Sequence, residues 1–425
     1  MNEQSTSRSH PPRTGRGHRR GRAAAAALLM LGPTLAAAPH AAADEPAALP
    51  EVTQFKAADA PCAEPGGDTV ARVPWTFQTL GLAGAQEMSR GDGVSVAVLA
   101  TGVDGGVPAL AGAVEGGGGS DCLGYGTFLA GVVAARPLPG SGFVGVAPGS
   151  GLLPVPTGDA DTGVASAAQI AAGIGTAVAA GARVVLVGTG ALVGSPELDA
   201  AVEEAEAAGA VVVAPATVPT AAGPFPCHPA QHPAVLSVGS HGVDGAPVLD
   251  TPLLLPSGEL ARVDVVAPGA SVLSVAPGGG GHATAGGDGV AAAFAAGSAA
   301  LLLAREPGLE PVRVRERLAA TAYGSALGPL DPVSGSGRID PTGALAAASG
   351  AEGESAAVGE AFVPDPSVYG AVDAPGTVAV VGAAGGVVVL CALAGAVIAA
   401  GRERGWRPAA EGEEITPEED PRPLI

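Results

Sequence analysis

Few side chains in this 425-residue chain could do chemistry: 47% of residues are hydrophobic, and there are only 7 histidines and 4 cysteines. Nucleophilic acyl transfer needs a hydroxyl or thiol, an imidazole to carry its proton, a carboxylate to orient the imidazole, and donors for the oxyanion. Asp104, His282, Asp288 and Ser298 supply those types. His282 sits among glycines and could reach a cleft. Asp104 lies four residues past the end of an apolar strand and should point away along the turn. For each of the four, a hydrogen-bonded or solvated role is the expectation. Cys227, His228 and His232 have the spacing of metal ligands only superficially, because Pro229 and Pro233 break the helix that would bring them together. Asp159 and Asp161 are too few for a calcium loop. The glycine runs 116–119 and 278–281 lack the Lys-Ser/Thr of a phosphate loop. No metal and no cofactor is therefore expected. A net charge of −20 argues against nucleic acid as a partner.

The elements that must position a site come next. The apolar run Val94 to Leu99 ends in a turn, and after a glycine-rich loop a second apolar run, Phe128 to Ala135, has helical character. This predicts a buried strand feeding a site at its carboxyl end, then a helix packing back on the sheet. Further on, strands are expected at 151–156, 183–187, 210–214 and 234–240, with helices at 164–180 and 195–208 between them. Alternating strands and helices with short connections predict an α/β fold with a parallel sheet covered on both faces. Ser195, Pro196 and Glu197 form a helix start, with proline at the first helical position and acid near the positive end of the dipole. From Gly286 an almost purely apolar helix must run through the core, followed by an amphipathic helix ending near Ala322.

These segments resemble the subtilisin-like serine proteases. In that family the first core strand ends DTG with the catalytic aspartate, the following helix opens HGT with the histidine, and a later helix opens GTSxAAP with the serine. The turn Ala267-Pro268-Gly269 also resembles the family's APG turn. Here the aspartate position is Ala100, the histidine position is Tyr125, and the serine position is Gly289 within Gly287-Asp288-Gly289. The family's oxyanion asparagine falls at Thr217, in Pro215-Ala216-Thr217. Ser298 lies nine residues beyond Gly289, about 13 Å along a helix axis. The resemblance implies a three-layer subtilisin-like fold from which every triad group is missing. The family's substrate-edge strand, usually polar, reads Leu186-Val187-Gly188.

The two ends of the chain carry different signals. Residues 1–43 run from arginines (Arg8, Arg13, Arg16, Arg19, Arg20, Arg22) through an apolar stretch to Ala41-Ala42-Ala43, the order of a secretory signal cleaved after Ala43. An N-terminal extension, 44–91, is too short for a folded propeptide and is expected to wrap the surface of the domain at 92–349. A linker, 350–376, leads to Thr377–Ala400, 24 residues with no charge or proline and long enough to cross a bilayer. Arg402, Arg404 and Arg407 would keep the tail, 401–425, in the cytoplasm. Cys391 falls in that span. Cys62, Cys122 and Cys227 would be exported to an oxidising compartment, where three thiols cannot all pair within one chain. The expected bridge is Cys62 with Cys122, tying the extension beside the cleft; the sequence leaves the connectivity open.

This layout resembles the mycosins, membrane-anchored subtilisin-like proteins of type VII secretion in actinobacteria, and Cys122 just before the histidine position fits that group. The resemblance implies membrane partners from a secretion complex and a structural role that needs no triad. A working membrane-anchored serine endopeptidase with an atypical site is the alternative. A third possibility is a peptide held in the old cleft.

Overall fold

The computed structural model describes residues 49–325 and 331–347. The signal segment, the linker, the expected membrane helix and the tail lie outside the described residues.

Two short helices, α1 (Trp75–Thr79) and α2 (Leu82–Met88), precede strand β1 (Ser95–Ala100), and helix α3 (Tyr125–Ala134) follows it. Next come β2 (Gly151–Pro156), α4 (Ala167–Ala179), β3 (Val184–Val187), α5 (Pro196–Ala207) and β4 (Val211–Pro215). A hairpin of β5 (Thr217–Thr220) and β6 (Gly223–Pro226) leads to β7 (Val235–His241) and β8 (Val265–Pro268). A second hairpin, β9 (Val272–Val275) and β10 (His282–Ala285), leads to α6 (Asp288–Arg305) and α7 (Pro311–Ala320). The described chain ends with β11 (Tyr323–Gly324), β12 (Gly337–Arg338) and α8 (Pro341–Ala346). The main sheet has the order β11-β12-β8-β7-β4-β3-β1-β2, parallel except where β11 pairs with β12.

The two-residue period of a strand divides β1 between the faces of this sheet. Val96, Val98 and Ala100 join the apolar layer that holds α3 and α6, whereas Ala97 and Leu99 pack with Ile170 and Ile174 of α4 and Leu198 and Val202 of α5. This is the three-layer α/β arrangement, and it puts Ala100 on the face that α3 and α6 cover. Leu99 pairs in register with Val187 of β3, so the ends of β1 and β3 come out side by side.

The starts of α4 and α5 are fixed by side-chain caps. Ser195 accepts from the Leu198 amide with Pro196 at the first helical position, as its sequence predicts. Ser166 and Gln169 form a reciprocal capping box that starts α4 three residues later than apolar periodicity suggests. Helix α6 has the length and apolarity of a membrane span, but 89% of that window is buried inside the domain. It is the core helix. The two hairpins were not foreseen, their strands being only four residues long.

The extension is more intimate than a surface wrap. Cys62 is bonded to Cys122, as expected, and the Ala63 amide donates to the Cys122 carbonyl at 2.7 Å. Upstream, Val52 and Gln54 are buried.

Candidate functional site

The carboxyl ends of β1 and β3 and the amino ends of α3 and α6 bring Ala100, Tyr125 and Gly289 together. A Cβ built on Gly126, the second residue of α3, would stand 2.9 Å from the Ala100 methyl. A Cβ on Gly289 would stand 2.3 Å from the Tyr125 hydroxyl and 2.6 Å from the Gly188 carbonyl. The tyrosine thus reaches into the space that a side chain at the serine position would need. Tyr125 is 3% exposed, and its hydroxyl has no hydrogen-bond partner among the described residues. Burial, and then the nearby charge of Asp288, push its phenol well above the usual range. It remains neutral and cannot serve as a base near neutral pH.

The oxyanion position is also engaged internally. Thr217 donates to Asp288 Oδ2 from its hydroxyl at 2.6 Å and its amide at 3.0 Å, while Ser240 donates to Oδ1 at 2.6 Å. The Asp288 carboxyl is 6% exposed. Desolvation raises its pKa, opposed by the donors from Ser240 and Thr217. As the first residue of α6 it also lies at the positive end of the helix dipole. The Thr217 hydroxyl and amide, at the position where the resemblance puts the oxyanion donor, are both directed at Asp288. Cys227 is buried next to this group, with Sγ 3.1 Å from the Pro215 carbonyl. Burial first, and Asp288 second, hold its thiol in the protonated form.

The remaining candidates are accounted for by local structure. Asp104 accepts from the Gly106 and Gly278 amides, both at 2.9 Å. Ser298 donates to the Phe294 carbonyl one turn back in α6 at 2.8 Å. His282 does not reach the centre. Its Nδ1 accepts from the Val70 amide at 2.8 Å, its Nε2 lies 3.1 Å from the Ser141 hydroxyl, and burial lowers its pKa. The ring pins the extension to the domain. Asp159 accepts from the Asp161 and Thr162 amides and the Thr162 hydroxyl within its own loop. Among the described residues no cluster of three or more His, Cys, Asp or Glu could hold a metal.

Two site residues escaped the sequence reading. Asp121 accepts from the Thr127 hydroxyl (2.7 Å) and amide (2.8 Å), the Gly124 amide (3.1 Å) and the Thr101 hydroxyl (3.1 Å). It fastens the amino end of α3, and so Tyr125, to the end of β1. Its position five residues before the helical Gly126-Thr127 pair was the available signal. Asp121→Ala should cost about 2 kcal/mol, since part of the lost bonding can be made good by water at the half-buried Thr101 side. Thermal unfolding of the variant would measure it, and an unchanged midpoint would count against this role. The second is Gln54, whose Nε2 donates to the Gly188 carbonyl at 3.4 Å. Nothing in its sequence context marked it.

A family model described as the subtilase family, Peptidase_S8, matches residues 91–359. Mycosin-1 of Mycobacterium tuberculosis is 31% identical over 331 residues, covering 64% of this chain and 73% of that protein. Mycosin-3 of the same organism is 32% identical over 357 residues, covering 70% and 77%. Among solved structures, MycP1 from Mycobacterium smegmatis superposes with a TM-score of 0.57 at 28% identity, over 70% of this chain and 90% of that one. The MycP3 protease from the type VII (ESX-3) secretion system gives 0.56 at 30% identity, over 67% and 92%. The chain belongs to the subtilase family, and within it to the mycosins.

Proposed function

We propose that this chain is a catalytically inactive mycosin that serves as a structural component of a type VII secretion membrane complex. The observation that carries the reading is the occupied centre: the Tyr125 hydroxyl and Gly188 carbonyl take the space a serine side chain at 289 would require. With Ala100, Tyr125 and Gly289 at the triad positions and Thr217 at the oxyanion position, nucleophile, base and orienting carboxylate are lost together. A dense apolar core and a fastened extension fit a part kept for its shape. One relative, MycP1, is described as an essential component of the type VII (ESX-1) secretion system, which favours secretion-complex membrane proteins as partners. The disulfide fits an oxidising, extracytoplasmic compartment. In this reading 1–43 is removed, 377–400 anchors the protein, and the tail is cytoplasmic.

Full-length protein extracted in detergent should give no labelling with a fluorophosphonate serine-hydrolase probe and no cleavage of a broad peptide library. Specific labelling with turnover would replace this reading with the atypical endopeptidase.

A further inference from the structure

The extension is held in part through backbone carbonyls. The Val52 amide donates to the Thr284 carbonyl at 2.8 Å, the Lys56 amide to that of Thr162 at 3.2 Å, and the Ala63 amide to that of Cys122 at 2.7 Å. Between the disulfide and α1 one bond is of another kind, because the Val70 amide donates to Nδ1 of His282, the first residue of β10. Around it, the Gly281 and His282 amides donate to the Gly66 and Asp68 carbonyls at 3.1 and 2.8 Å, and the Gly142 amide to the Val70 carbonyl at 2.9 Å. An amide can only donate, so Nδ1 must be a bare acceptor and the ring proton must sit on Nε2. Nε2 then donates to the Ser141 hydroxyl at 3.1 Å, which gives its own proton to the Phe143 carbonyl at 3.3 Å. Every polar atom in this relay is satisfied by the neutral ring in this one tautomer. A proton on Nδ1 would face the Val70 N–H.

We propose that His282 is an acid-sensitive latch: its protonation breaks the bond to the Val70 amide and frees residues 66–72 from the β9–β10 hairpin, while the disulfide keeps Cys62 in place. The inference goes beyond the scaffold reading and does not depend on whether the centre hydrolyses anything. Among the described residues, no fixed charge is placed to hold a second proton on the ring. The extension brings Glu51, Glu64, Asp68 and Arg72, all exposed. Asp104 is engaged at the hairpin tip by the Gly278 amide, and the Arg136 guanidinium by the Pro148 and Ser150 carbonyls. Helix α3 and strand β9 carry no Asp, Glu, Lys or Arg. Phe143 lies edge-on to the ring with centroids 5.9 Å apart, and His282 is 3% exposed, so burial disfavours the imidazolium. The latched state thus refuses a proton that the opened ring accepts near its ordinary value of 6.5. Opening is opposed above that pH and becomes easier as pH falls below it.

The test is hydrogen exchange of the full-length detergent-solubilised protein, resolved to single amides and corrected for the intrinsic exchange rate at each pH. Val70 should lose protection about tenfold between about pH 7.5 and about pH 5.5, the change expected when only the opened ring takes the proton. The Lys56 and Ala63 amides, given to carbonyls, should keep theirs within about twofold over the same range. His282→Asn retains a side-chain acceptor near the place of Nδ1 but does not titrate. In that variant the protection of Val70 should respond to pH no more than that of Ala63. Protection of Val70 that does not change with pH would overturn the proposal. So would an equal fall at Lys56 and Ala63, which would mean that the whole domain loosens. A pH dependence that survives in His282→Asn would assign the titration to another group and overturn it as well. The first two comparisons need no variant, so the test stands even if His282→Asn fails to fold.

Discussion

A serine introduced at Gly289 is expected to destabilise the domain by about 4 kcal/mol rather than to arm it, at the upper end of what overpacking costs. The reason is the pair of groups facing the new Cβ, at 2.3 Å and 2.6 Å. The first is the far end of the Tyr125 side chain. The second is the Gly188 carbonyl, whose residue continues β3 and gives its amide to Leu99 of β1 at 2.8 Å. The first obstacle can be removed by Tyr125→His, the second only by moving the sheet. The double variant should therefore recover part of the loss, and adding Ala100→Asp should recover no more. Melting curves for the parent, both single variants and the double would resolve the coupling, since the two positions are in contact. Gly289→Ser should lower the midpoint by about 10 °C for a domain of this size. A midpoint within about 2 °C of the parent would mean the centre has room and would remove the main support for inactivity.

Asp288→Ala should cost about 4 kcal/mol, because three buried donors, the Thr217 hydroxyl and amide and the Ser240 hydroxyl, lose their acceptor at once. Asp288→Asn should be far milder. Its carbonyl can take the Thr217 pair while its amide donates to Ser240, whose hydroxyl can turn to accept. The two variants also separate charge from bonding. Burial raises the pKa of Asp288 above its ordinary value of 3.8, so the folded state holds this proton more tightly than the unfolded state does. The group's contribution is then most favourable below the unfolded value and is lost as pH rises through the folded one. Relative to Asp288→Asn, the parent should lose stability from about pH 4 toward neutrality. Chemical denaturation at several pH values checks this, and a parent that gains on the asparagine variant with rising pH would refute it.

The parallel α/β sheet and its buried strands were legible because they rest on long apolar periodicities, and the three layers and the meeting of positions 100, 125 and 289 followed from motif spacing through the family resemblance. The contacts that fill the centre were not. Tyr125 could be seen to stand at a histidine position, but only coordinates place its hydroxyl against residue 289. Asp288 was noticed as a stray carboxylate, yet its partners Thr217 and Ser240 are 71 and 48 residues away, and no local pattern encodes such contacts. His282 has the hydrogen-bonded role expected of it, with partners that its sequence neighbourhood did not indicate. Glycines on its amino-terminal side suggested reach, whereas the ring is held by Val70, 212 residues away. The two hairpins were missed because each of their strands is only four residues long, so tertiary pairing rather than propensity decides them.

The extension is made first and can be seated only last. Its acceptors, Thr162, Gly188 and Thr284, and the ring of His282 all belong to chain synthesised long afterwards; Gln54 and Gly188 alone are 134 residues apart. A polypeptide threaded amino end first would therefore emerge with Val52 and Gln54 unsatisfied, and they would stay so until the end of β3 and the β9–β10 hairpin were in place. Such distant contacts carry a loop-closure cost that is repaid only at the end. Seating of this segment thus depends on a domain that is already assembled, and the bond to Cys122 then ties it there.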